Sequence, residues 1–209
     1  MLRNAPKRKP LMNLSGKLFI GCLLGWGIAV AGISSATAGD VQPNKLTPET
    51  LWSQILAHRL TYIQEGHRGP IIYDFQDPNC PYCHVLYDNE APLIEEGKLI
   101  VRYVPVAFLT RDSPAEAAAW LQAPHPVAAL KHFEQIVESA AQSGDYTQLP
   151  QARLSAKTAK DLHTNLGIMQ ALGITGTPAV IYQMKNGQLG LIPGLVSKKQ
   201  LIALLPQLR

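Results

Sequence analysis

Two cysteines three positions apart, Cys80 and Cys83, are the residues of this 209-residue chain whose types and spacing most directly specify chemistry. They stand in Asp77-Pro78-Asn79-Cys80-Pro81-Tyr82-Cys83-His84. Less than one helical turn separates them, so their sulfurs can close a disulfide or stand as two thiols, and the pair can act as a redox centre. Reactivity then depends on ionisation. The thiolate is the nucleophile, and helix N-termini lower a cysteine pKa from about 8.5 toward roughly 3.5–7.5. Pro81 suits the first helical position, because its ring fixes a helical φ and its missing N–H would have been unpaired anyway. Cys80 therefore faces the unpaired N–H groups and the positive dipole end of a helix.

The flanking elements must hold that geometry. Ile71 to Phe75 is β-branched or aromatic except for Asp74, the composition of a sheet-core strand. Asp77-Pro78-Asn79 is turn chemistry. After Cys83 the pattern stays helical to Glu96 and stops at Gly97, with a kink expected at Pro92. Upstream, Thr47-Pro48-Glu49 opens a helix with Leu46 and Leu51 placed as a hydrophobic staple, and its periodicity runs through Tyr62 until Gly66. Downstream, Leu99 to Val106 reads as a strand, and Ser113-Pro114-Ala115-Glu116 as a capping box opening an alanine-rich helix. Two more helices follow, ending near Gly144 and spanning about Ser155 to Leu172. Ala179 to Met184 is a strand, Asn186-Gly187 a type I′ hairpin signal, Gln188 to Ile192 the returning strand, and Ser197 the cap of a last helix. The order is β-α-β, a helical block, then β-β-α: an α/β chain with a mixed sheet.

Charge distribution removes one class of function. The formal charge is +4, but five of the 19 basic residues precede residue 39, where there is no Asp or Glu. The remaining 14 meet 15 acidic residues, so the body has no nucleic-acid footprint. The first 38 residues read as a signal peptide: basic through Lys17, apolar from Leu18 to Val30, then Ala36-Thr37-Ala38 as a small-x-small cleavage pattern. An uncleaved anchor is the rival, since Leu18 to Gly39 carries no charge, although Gly21, Gly25, Gly27 and Gly32 weaken a span. Cys22 leaves with the leader or stays in the membrane, so the exported body keeps two cysteines in one motif. A chain stapled by disulfides would carry more, spaced widely.

Asp77-Pro78-Asn79-Cys80-Pro81-Tyr82-Cys83, the helical insertion, Thr177-Pro178 and the closing hairpin and helix together resemble the thioredoxin superfamily, specifically the periplasmic DsbC/DsbG thiol–disulfide isomerases. The resemblance covers about residues 47–209. It implies a thioredoxin fold with a mixed central sheet, a domain over 71–209 with a helical insertion at about 110–172, and a linker helix within 39–70. It also implies catalysis by Cys80 and Cys83, and a cis-proline at Pro178 beside the pair. Thr177 would then offer backbone N–H and C=O to an extended peptide, with Tyr82 shaping the exposed surface. Substrates would be exported cysteine-containing proteins, and a membrane redox partner would recycle the pair. No cofactor is expected.

Two departures from that family are visible. Only some thirty exported residues precede the strand, too few for the family's dimerisation domain, which predicts a monomer. Asp74 lies six residues before Cys80, where thioredoxin and the oxidase DsbA have a buried acid and DsbG-like enzymes are apolar. A carboxyl in that strand should have a raised pKa and suits proton exchange with Cys83; the plainer alternative is a hydrogen-bonded structural Asp. Thr177 leans toward a reductase or isomerase, whereas Asp74 leans toward a DsbA-like oxidase. Cys80-Pro81-Tyr82-Cys83-His84 also satisfies the pattern for c-type haem attachment, for which the strand and Thr177-Pro178 are unnecessary. Otherwise His84 is a helix residue adding positive potential near the thiolate. Zinc would need a second cysteine pair that the body lacks.

Overall fold

In the computed structural model the described residues are Leu46–Arg209; the leader, its cleavage pattern and residues 39–45 lie outside them. Five strands form one mixed sheet in the order β1-β3-β2-β4-β5. They are β1 (Ile63–Glu65), β2 (Ile71–Gln76), β3 (Ile100–Pro105), β4 (Ala179–Gln183) and β5 (Leu189–Pro193). β2 and β3 run parallel, and the other pairings are antiparallel.

A first helical rod is built from α1 (Pro48–Thr50), a π-helical stretch (Leu51–Leu56) and α2 (Ala57–Arg59). The Thr47 side chain accepts from Thr50 N at 3.1 Å, the expected N-cap. Leu46 is exposed, so no staple forms with Leu51. The rod ends earlier than its periodicity predicts. Leu60 already has extended dihedrals, and Ile63–Glu65 pairs with Tyr103–Val101 as β1, inside a segment the sequence assigns to a linker helix and turn. Alternation explains the switch: Ile63 and Glu65 are buried and Gln64 is exposed, the period of a strand. Glu65 tolerates burial because Lys131 Nζ lies 2.7 Å from it.

Alternation along β2 divides the core. Tyr73 and Phe75 pack against Leu56, Met169 and Ile181 on the face covered by the first rod and α6 (Ala156–Ala171). Ile72 packs with Leu86, Leu93 and Val101 on the other face, under α3 (Pro81–Glu95) and α7 (Lys198–Leu204). Asp74 and Gln76 follow Ile72 onto that second face. Between β3 and β4 the insertion contributes α4 (Ser113–Leu121), α5 (Pro126–Ser143) and α6, with Trp120 and Phe133 in edge contact at 4.9 Å. Ser197 caps α7 as expected, in a capping box with Gln200, and Ser155, where the sequence starts the preceding helix, is the cap of α6.

Two local expectations are corrected. Ser113 is the first residue of α4 and Asp112 its N-cap without a side-chain bond, so no capping box forms; Ser113 and Glu116 turn to the motif loop instead. The β4–β5 hairpin exists, but Gly187 N bonds Met184 O at 2.8 Å and only Gly187, not Asn186, has positive φ. Lys185-Asn186-Gly187 is thus a three-residue loop closed by a left-handed glycine, since a type I′ turn needs positive φ at both central residues. Gly69 does require glycine: its φ is +112°, and a Cβ would sit 2.5 Å from the Lys98 carbonyl carbon.

Candidate active site

Cys80 is the N-cap of α3 (φ −93°, ψ 108°) and Pro81 its first helical residue. Strand β2 delivers the chain to this point, and Asp77-Pro78-Asn79 makes the turn. The turn is fastened by Asp77, which is fully buried. One of its oxygens accepts from Asn79 N at 2.9 Å and from Ser113 Oγ at 2.7 Å. The other accepts from Phe108 N at 2.5 Å and Leu109 N at 2.9 Å. Asn79 donates in turn to Ser113 Oγ and Glu116. One carboxylate therefore ties the motif loop to the loop after β3 and to the start of the insertion. Sequence reading takes Asp77 as turn chemistry and Ser113/Glu116 as a capping box; Asp77 does close the turn onto Asn79, but all three residues are also bonded across 31 to 37 residues.

Both cysteines are free thiols, Cys80 at 3% exposure and Cys83 fully buried behind it. Hydrogen bonding from Cys83 to Cys80 Sγ is the largest influence on Cys80. With the backbone N–H groups of Tyr82 and Cys83 it outweighs burial and brings the Cys80 pKa down to about 6. Burial, followed by that same hydrogen bond and the negative charge of Asp74, pushes the Cys83 thiol far up. The first sulfur ionises readily and the second resists.

Thr177-Pro178 is a cis peptide, as the resemblance implies, and it lies against the pair. Cys80 Sγ is 3.4 Å from Thr177 O, a contact the protonated thiol donates. Tyr82 is 63% exposed. Asp74 is fully buried, and neither carboxylate oxygen has a hydrogen-bond partner. Burial, then the charges of Cys80 and Glu134, raise its pKa well above the usual carboxylate range. The hydrogen-bonded structural alternative is therefore not what the strand contains.

Glu90 is a further buried acid that sequence reading passes over. It lies two turns beyond Cys83 on the sheet-facing side of α3, and burial followed by the Asp74 charge raises its pKa. Helical spacing from Cys83 would have found it. His84 Nδ1 is 2.7 Å from Glu134 Oε2 on α5. Burial alone would lower the imidazole pKa, but Glu134 outweighs it and the value is raised.

A buried dithiol at a helix start, beside a cis-proline on a mixed sheet, defines the thioredoxin architecture. The chain belongs to the thioredoxin-like family: the family model described as a thioredoxin-like domain matches residues 56–209. Among curated relatives, the thiol:disulfide interchange protein DsbG of Pseudomonas aeruginosa is 32% identical over 135 residues, 65% of this chain and 50% of that protein. DsbG of Escherichia coli K12 is 33% identical over 131 residues, 63% of this chain and 50% of that protein. The chain thus spans about half the length of the curated relatives it matches. Among solved structures, the catalytic domain of Proteus mirabilis ScsC superposes with a TM-score of 0.57 at 23% identity, covering 76% of this chain and 96% of that one. A periplasmic thioredoxin-like protein from Salmonella enterica serovar Typhimurium gives 0.53 at 24% identity, covering 69% and 88%. These two likenesses establish the fold.

Proposed function

We propose that this chain is a periplasmic thiol–disulfide oxidoreductase that exchanges disulfides with exported proteins, a reductase or isomerase of the DsbG kind. The contrast between the two sulfurs carries the reading: Cys80 is held near pKa 6 while Cys83 is pushed far up. The Cys80 thiolate attacks one sulfur of a substrate disulfide, forming a mixed disulfide and releasing a substrate thiolate. Loss of the Cys80 proton frees Thr177 O, and the backbone of Thr177 then pairs with the extended peptide. Asp74 in its ionised form takes the proton of Cys83, and the Cys83 thiolate attacks Cys80 Sγ. The second substrate thiol leaves and the chain ends as a disulfide, two electrons having passed to the substrate. When the freed substrate thiolate returns first, the substrate is rearranged and the chain leaves reduced. A membrane redox partner restores the dithiol in the reductive cycle.

The lowered Cys80 pKa also favours the reverse direction, in which the oxidised chain donates its disulfide as a DsbA-like oxidase. Haem attachment fits the geometry poorly, because Cys83 is buried beneath Cys80 and the His84 imidazole is turned onto Glu134. In an insulin-reduction assay Cys80→Ala should lose all activity, and Cys83→Ala should accumulate a mixed disulfide through Cys80. Full turnover by Cys80→Ala overturns the reading, and alkylation trapping of the pair in cells distinguishes reductase from oxidase.

A further inference from the structure

Alongside the motif, between α3 and α5, runs a groove of about 570 Å³ whose wall includes Pro78, Asn79 and Pro81, the residues flanking Cys80. Val85, Val137 and Tyr146 give it apolar surface. Its charge is one-sided. Asp88, Glu134 and Glu138 line it together with His84, and no Lys or Arg does. The helical register explains the pattern: His84 and Asp88 are four apart on α3, and Glu134 and Glu138 are four apart on α5, so two rows face each other.

One rung is matched and the next is not. His84 holds Glu134 Oε2, but Glu134 Oε1 has no hydrogen-bond partner although Glu134 is only 7% exposed. Burial, followed by the like charge of Glu138, raises the Asp88 pKa against the opposing pull of His84. A nearby cation on α5, Lys131, is already held by Glu65 at 2.7 Å. A buried carboxylate oxygen without a donor is costly, and two exposed carboxylates offset only by His84 attract a further cation. Both are met by the same visitor, a cation whose stem is apolar enough to cover Val85 and Val137.

We propose that this groove is a specificity subsite for a lysine or arginine side chain close in sequence to the substrate cysteine that bonds Cys80. The inference rests on the thiol–disulfide exchange reading and adds the substrate class: segments that are basic around the reacting cysteine. Electrostatic complementarity of this kind acts on encounter and register more than on the chemistry itself.

The test uses the reduced full chain and three peptides carrying a 2-thiopyridyl disulfide on a central cysteine. The flanking residues are Arg, Gln or Glu, and release of thiopyridone is followed as Cys80 attacks. The Arg peptide should react about tenfold faster than the Glu peptide at low salt, with Gln between, and the spread should shrink as salt is raised. Glu138→Gln combined with Asp88→Asn should collapse the Arg-to-Glu ratio. Glu95→Gln, which removes one charge at the far end of α3, should keep it. Equal rates for the three peptides, or a ratio as sensitive to Glu95→Gln as to the groove variant, overturns the subsite. Small 2,2′-dipyridyl disulfide separates the two readings: slow attack on it, at the rate of an ordinary cysteine, defeats the exchange reading itself, whereas fast attack without peptide discrimination defeats only the subsite.

Discussion

At the scale of single residues, two sulfurs of one element differ because donors converge on one, while burial, the first sulfur and the Asp74 charge act against ionising the other. Cys83 donating to Cys80 is the largest influence on the lowered value of about 6. In the reduced protein one thiol should titrate near pH 6 by thiolate absorbance and vanish in Cys80→Ala. In Cys83→Ala the Cys80 transition should move upward toward the ordinary thiol value of about 8.5. An unmoved transition would assign the effect to the helix N-terminus alone. Asp74 gives the opposite pH dependence. Its folded pKa is raised above the unfolded carboxylate value, so the native state holds a proton that the unfolded chain has released. Stability from this group is therefore lost as pH rises from about 4 toward the folded pKa. Asp74→Val should stabilise the protein by about 1–3 kcal/mol near pH 8 and by less near pH 5, read from urea denaturation at both pH values. Glu90 shares the sign, so a smaller slope should remain.

At the scale of elements, the site is held by connections between loops more than by any one helix. Asp77 accepts from Asn79, Ser113, Phe108 and Leu109 and is fully buried. Asp77→Ala would leave inward-facing backbone donors of the loop after β3 without an acceptor. A loss of about 2–4 kcal/mol in urea denaturation is expected, with Cys80 reactivity toward a small disulfide altered as the α3 start shifts. How much of this was legible in the sequence follows from the range of each interaction. Local signals are legible: the apolar run of β2, the Cys80–Pro81 helix start, the start of α6 at about Ser155, the Ser197 cap, and the Gly144 stop of α5. Strand β1 was lost because three residues give too short a period to separate from the helix before it. Ser113 and Glu116 matched a local pattern whose place was taken by distant partners. Asp74 stood out as a lone acid in an apolar strand. Glu90 was legible from its two-turn spacing to Cys83, whereas Glu134 was not, because the helix facing it is set only by the tertiary fold.

At the scale of the whole molecule, the insertion is part of the core and not an appendage. Asn165 on α6 is fully buried; its side chain donates to Thr61 O at 2.8 Å and Pro105 O at 2.9 Å and accepts from Thr61 N at 2.9 Å. One amide thus stitches α6 to the chain entering β1 and to the end of β3. On either side of it, β2 and β4 pair over four residues in the centre of the sheet. Residues 144–148, by contrast, are exposed. A break placed there by a site-specific protease should leave two polypeptides that still elute together and still reduce insulin, since each carries one half of the central ladder and of the Asn165 stitch. Cys80 would reside on the first piece and Thr177 on the second, so recovery of exchange activity on mixing the two would report reassembly directly.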